Sequence, residues 1–82
     1  MKTYKKLTEL NPPKHPSCGT ITCYYGESPW VDNKAYGFIE IADCMGKVRL
    51  HMAKRDKKKD LIYKAKKLRD ALNDYIDYLE KI

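Results

Sequence analysis

The sequence predicts an α+β fold: a three-stranded antiparallel sheet followed by one long amphipathic helix. Two observations predict it. Between Gly19 and Met52, turn residues separate three short runs, one rich in strand formers and two in which side chains alternate between faces. After Lys57 the pattern becomes helical. Leu61, Ala65, Leu68, Leu72, Tyr75, Leu79 and Ile82 step alternately by four and three, and no Gly or Pro interrupts them. At 82 residues the chain supports one domain with a small core.

Residues 1–17 read as an N-terminal segment and a proline-rich connector. Residues 1–11 are polar, with Leu7 and Leu10 three apart, and suit either a short helix or a loose segment. Pro12, Pro13 and Pro16 lack backbone donors and restrain their predecessors, which favours an extended chain. The sheet is expected over residues 18–53. GTITCYYG, from Gly19, is rich in strand formers and supplies its first strand. A turn-rich loop follows, carrying the only tryptophan, Trp30.

AYGFIEIA is the second strand, with Tyr36, Phe38 and Glu40 on one face and Gly37, Ile39 and Ile41 on the other. A turn at Asp43 to Gly46 leads to the third strand, KVRLHM. There Val48, Leu50 and Met52 oppose Lys47, Arg49 and His51. Ile39, Ile41, Val48 and Leu50 form the expected core. Residues 54–82 form the helix, with Asp56 or Asp60 capping its start. Its stripe of Leu61, Leu68, Leu72, Tyr75 and Leu79 is an expected interface, either packed on the sheet or paired with a second helix.

Charge is distributed unevenly. The net charge is +6 with histidine neutral. Residues 1–53 carry seven Lys and Arg against five acids, residues 54–69 nine against two, and residues 70–82 one against four. The basic block suits a polyanion or a solvated face. It also sits at the positive end of the helix dipole, and the acids at the negative end, so helix stability does not explain the order. Phosphate contact explains it, and so does antiparallel pairing of two helices.

Several classes are excluded or disfavoured. No run of apolar residues is long enough for a membrane span, and no apolar stretch follows the N-terminal lysines as in a secretory leader. Cys18, Cys23 and Cys44 are an odd set without disulfide-scaffold spacing, which points to a reducing cytoplasm. With His15 and His51 they show no metal-ligand spacing, so neither metal nor cofactor is expected. No nucleophile–base pair, paired carboxylates or phosphate-cradling glycine loop is present, so an enzyme is not expected.

The middle segments G-T-I-T-C-Y, K-A-Y-G-F-I and V-R-L-H resemble the cold-shock domain, over residues 18–53. The resemblance implies an OB-like half barrel whose aromatic residues stack on single-stranded RNA or DNA. It places Tyr36 and Phe38 at the RNP1 aromatic positions, Lys34 at the lysine opening that motif, His51 at the RNP2 histidine and Tyr24 at a first-strand aromatic. Cys23 and Arg49 depart from the family, standing where it has tryptophan and phenylalanine. Trp30, in a longer loop, is a substitute stacking group. The family's last two strands are replaced by the helix.

The expected function is therefore a small basic protein that binds single-stranded nucleic acid. Tyr24, Trp30, Tyr36, Phe38 and His51 would meet bases. Lys34, Lys47, Arg49, Lys54, Arg55, Lys57, Lys58 and Lys59 would meet phosphates. The alternative is an interaction module, such as a small inhibitor or adaptor, docking on a larger protein or a second copy through the helix stripe or an open sheet edge.

Overall fold

The computed structural model describes residues 3–14, 18–28, 34–53 and 55–82. Among these residues four strands, β1 (Tyr4–Glu9), β2 (Gly19–Glu27), β3 (Ala35–Asp43) and β4 (Gly46–His51), precede one helix, α1 (Lys58–Lys81). The strands form a single antiparallel sheet in the order β1-β2-β3-β4, with β1 and β4 as its edges, so the sheet is not closed.

The expected three strands are β2, β3 and β4. The fourth, β1, corrects the reading of residues 1–11 as helix or loose chain. It pairs with β2 over its whole length, from Tyr4↔Tyr25 to Glu9↔Thr20, and Leu10 N donates to Gly19 O at 2.8 Å just beyond. All six of its residues are exposed. Backbone pairing rather than burial therefore holds it, and its two lysines suit an exposed edge.

The β3–β4 hairpin turns where the sequence predicted. Asp43 pairs with Gly46, and Cys44 and Met45 make the connection. Met45 N donates to Asp43 Oδ1 at 2.8 Å. Gly46 has φ 154°, a conformation that side-chain-bearing residues rarely adopt. Ser28 N donates to Lys34 O at 2.6 Å, bringing the ends of the β2–β3 connection together.

Register divides the sheet into two faces. Ile21, Cys23 and Tyr25 pair with Ile41, Ile39 and Gly37, and Val48 and Leu50 pair with Ile41 and Ile39. This is the apolar face, as the alternation predicted. Its burial is uneven. Ile39 and Met52 are buried, Ile41 and Leu50 are half-buried, and Val48 is 54% exposed. At the uncovered end an open groove of about 570 Å³ is lined by residues including Leu10, Cys18, Ile41, Met45 and Val48.

The helix covers only the other end. Asp56 Oδ2 accepts from Ala53 N at 2.8 Å and holds the preceding turn, while Asp60 Oδ2 accepts from Lys57 N at 2.7 Å. Asp60 is thus the carboxylate that caps, reaching back from the first turn. Lys57 stands at the N-cap but has no acceptor of its own to complete a reciprocal cap. Leu61 packs over Gly37. A Cβ at Gly37 would lie 2.5 Å from Leu61 Cδ2, 3.0 Å from Tyr25 Cδ2 and 3.1 Å from the Tyr24 carbonyl oxygen. Lys64 Nζ donates to His51 O at 3.1 Å, and Leu68 is half-buried. From residue 69 onward every helical residue is exposed. The 24-residue helix, about 36 Å long at 1.5 Å per residue, accounts for the elongated 48 × 26 × 22 Å shape.

The tight approach at Gly37 makes the docking testable. Gly37→Val should destabilise the protein by about 1–3 kcal/mol in urea denaturation, as overpacking does. Leu61→Ala in the same chain should recover part of that loss, because the two side chains compete for one space.

Candidate nucleic-acid interface

The second face of the sheet carries the residues with binding chemistry. Tyr24 pairs with Phe38, and Phe38 with His51. One step along, Glu40 lies between Thr22 and Arg49; beyond it, Ala42 lies between Thr20 and Lys47. Tyr36, opposite Gly26, extends the aromatic end. Because α1 docks through Gly37 on the opposite face, these aromatics do not lie beneath the helix.

Tyr24, Phe38 and Arg49 form a row. The Tyr24 and Phe38 rings stack at 5.3 Å between centroids and 17° between planes. Arg49 Cζ lies 3.9 Å from the Phe38 centroid, over the ring. Tyr36 leans on Phe38 at 6.0 Å and 46°. The Tyr24 hydroxyl donates to Glu27 O at 3.2 Å, which fixes the outer end of that ring. All three rings are half-buried.

Arg49, opposite Glu40 on β4, covers the Phe38 ring. The guanidinium plane can itself accept a base, since it is flat and weakly hydrated. Its orientation is shared with Glu40, whose Oε1 lies 3.4 Å from the Arg49 terminal nitrogen and 3.9 Å from Lys47 Nζ. The Glu40 side chain is only 19% exposed, against 44% for Arg49 and 72% for Lys47. Glu40 is therefore an organising residue that the sequence reading had placed on this face without giving it a role. Pairing β3 with β4 through the Asp43–Gly46 turn would have set it opposite Arg49.

The other expected site residues are scattered. Lys34 is exposed just before β3, and its carbonyl receives the Ser28 amide. His51 is exposed at the end of β4. Arg55 and Lys57 lie between the sheet and the helix, and Lys58 and Lys59 open the first turn, all exposed. Trp30 and Lys54 lie outside the described residues, as does His15. Of the interface stripe, Leu61 and Leu68 are half-buried, while Leu72, Tyr75 and Leu79 are free.

Among the described residues no cluster of three His, Cys, Asp or Glu side chains is placed to hold a metal ion. None of their helices is long and apolar enough to cross a membrane. At the far end of the β2–β3 ladder, the pair Gly19↔Asp43 leaves Cys18 and Cys44 next to each other. A hydrogen bond with Cys44, helped by desolvation and the nearby Asp43 carboxylate, holds the Cys18 thiol above its ordinary range. A raised pKa reduces the thiolate fraction at neutral pH and with it the nucleophilicity of Cys18.

No known family model, curated protein or solved structure matches the chain.

The cysteine pairing gives a direct check on register. Oxidation of the folded protein with diamide should link Cys18 to Cys44 and leave Cys23 free, as read by peptide mapping under non-reducing conditions. A link from Cys23 to either of the others would contradict the β2–β3 alignment.

Proposed function

We propose that the protein binds single-stranded nucleic acid across the β2–β3–β4 face. One observation carries this reading. Register gathers the half-buried Tyr24, Tyr36 and Phe38 with the exposed Arg49 guanidinium into one cluster, with Lys47 and His51 beside it. Flat groups for bases next to cations for phosphates are the minimum that sequence-tolerant single-strand binding needs. Resemblance to the cold-shock domain supports the same reading through its motifs, and on it the open sheet is a partial OB-like arrangement.

Bases would meet the outer plane of Arg49 and the accessible parts of Tyr36 and Tyr24, because one side of Phe38 is already taken by Arg49. The strand would then run toward the basic start of α1. Arg55, Lys57, Lys58 and Lys59 follow His51 within eight residues and are exposed. Glu40 weakens the positive field of the cluster, so the helix start supplies most of the phosphate attraction. RNA and DNA share this chemistry, and sequence preference is expected to be weak.

Titration with short oligonucleotides, followed by fluorescence anisotropy, tests the proposal. Tyr36→Ala or Arg49→Ala should weaken binding by about 1–3 kcal/mol, the usual worth of one stacking group. Each of Lys58→Gln and Lys59→Gln should lower the salt dependence of log K by about 0.7. Failure of the unaltered protein to bind any single strand at low salt would remove the proposal and favour a protein-docking role.

A further inference from the structure

We propose that α1 pairs antiparallel with α1 of a second copy of this chain, through Leu68, Leu72, Tyr75, Ile76, Leu79 and Ile82. The inference stands apart from nucleic-acid binding and rests on the exposed stripe beyond the sheet contact, with the half-buried Leu68 at its inner end.

The stripe on that part is long and unused. Leu72, Ile76 and Leu79 are 45–47% exposed, Tyr75 is 59% exposed and Ile82 is 81% exposed. No residue after Leu68 is even half-buried. The sheet therefore explains the apolar stripe only as far as Leu68. An isolated helical stretch of about a dozen residues is marginal in water. The charge order of α1 works against it further, with acids at its negative end. A partner that covers the stripe removes both difficulties.

Spacing fits a second helix of the same sequence. Steps of four and three from Ala65 to Ile82 make the narrow seam of a two-helix pair. With the two-fold axis between residues 73 and 74, Ala65 faces the partner's Ile82, Leu68 faces the partner's Leu79, and Leu72 faces the partner's Tyr75. Each layer sets a smaller side chain against an equal or larger one. The overlap runs from residue 65 to residue 82, about 27 Å of helix.

Charge selects the direction. Residues 54–69 are strongly basic and residues 70–82 acidic. Antiparallel pairing brings Lys66, Lys67 and Arg69 level with the acidic half of the second copy; parallel pairing would set like charges side by side. Arg69 and Glu80 flank the same side of the stripe, so Arg69 reaches toward the partner's Glu80. The remaining charges lie further round the helix, where screening over about 8–10 Å weakens but does not abolish their contribution.

Sedimentation equilibrium without nucleic acid, from micromolar to near-millimolar protein, tests the pairing, with far-UV circular dichroism at each concentration. A dimer is expected, with helicity rising as it forms and the dissociation constant increasing with added salt. Leu72→Asp should weaken the dimer by about tenfold or more, since a buried seam residue commonly contributes over 1.4 kcal/mol. It replaces an exposed side chain beyond the sheet contact, so thermal unfolding at concentrations where both proteins are monomeric should be unchanged. Glu80→Lys should also weaken the dimer, while leaving the apolar seam intact. A monomer throughout, or a dimer indifferent to Leu72→Asp, would overturn the proposal. A dimer that tightens with salt, or with Glu80→Lys, would overturn the antiparallel direction. None of these outcomes depends on whether the sheet binds oligonucleotides.

Discussion

The contact of Leu61 with Gly37 is the constraint on which the arrangement depends. Among the described residues no second sheet meets the apolar face, and α1 covers part of it. Glycine at position 37 lets the first turn come close, and a Cβ there would meet Leu61, Tyr25 and the Tyr24 backbone together. Ile39, Met52 and the half-buried Leu50 form the core associated with this docking. The Lys64–His51 hydrogen bond adds a polar attachment, and Asp56 and Asp60 shape the turn and the helix start that precede it. Moving away from this contact in either direction, burial falls: toward the groove beside Val48 on the sheet, and past Leu68 on the helix.

With α1 committed to one face, the other is left to side chains that interact across strands. Their order follows from pairing alone. Register places Phe38 between Tyr24 and His51 and places Glu40 beside Arg49. Arg49 then has two partners, the Phe38 ring and the Glu40 carboxylate, and each restrains it for the other. Cation–π contacts and exposed ion pairs are individually weak, of order 0.5–1 kcal/mol each. Their value here is directional: a guanidinium held over a ring and beside a carboxylate is already ordered, whereas an unrestrained arginine would lose that freedom on binding anything.

Most of the sheet was legible because its segments alternate cleanly and its turns carry Asp and Gly. Ile39 and Gly37 on one face and Tyr36 and Phe38 on the other were readable from residue order. The β1 strand was not. Its residues, YKKLTE, bury nothing, so no periodic apolar signal marks them, and Leu7 with Leu10 mimics a helical step. Only the hydrogen-bonding edge of β2 identifies them as a strand. The site was half legible for a similar reason. Residue types identified the rings and cations, but nothing in residue type set Arg49 over a ring. Its place over Phe38 depends on cross-strand distance and on Glu40, and composition conveys neither. Likewise the stripe on α1 showed that something would cover it, without showing that the sheet stops at Leu68.

The two explanations of the bipolar helix, phosphate contact and pairing with another helix, need not compete. Seam pairing from residue 65 to residue 82 engages Lys66, Lys67 and Arg69 but ends before the first turns. Arg55, Lys57, Lys58 and Lys59 lie beyond the end of the second copy's helix and remain available to phosphate. In the antiparallel pair these clusters stand at opposite ends, each next to its own β4 and therefore to its own aromatic row. One helix would thus serve two purposes in sequence along its length, with the change near Leu61 to Leu68, where the sheet contact is made. On this arrangement dimerisation would leave each proposed oligonucleotide site intact and join two of them. Affinity for a strand long enough to span both would then rise through effective concentration, without any new contact.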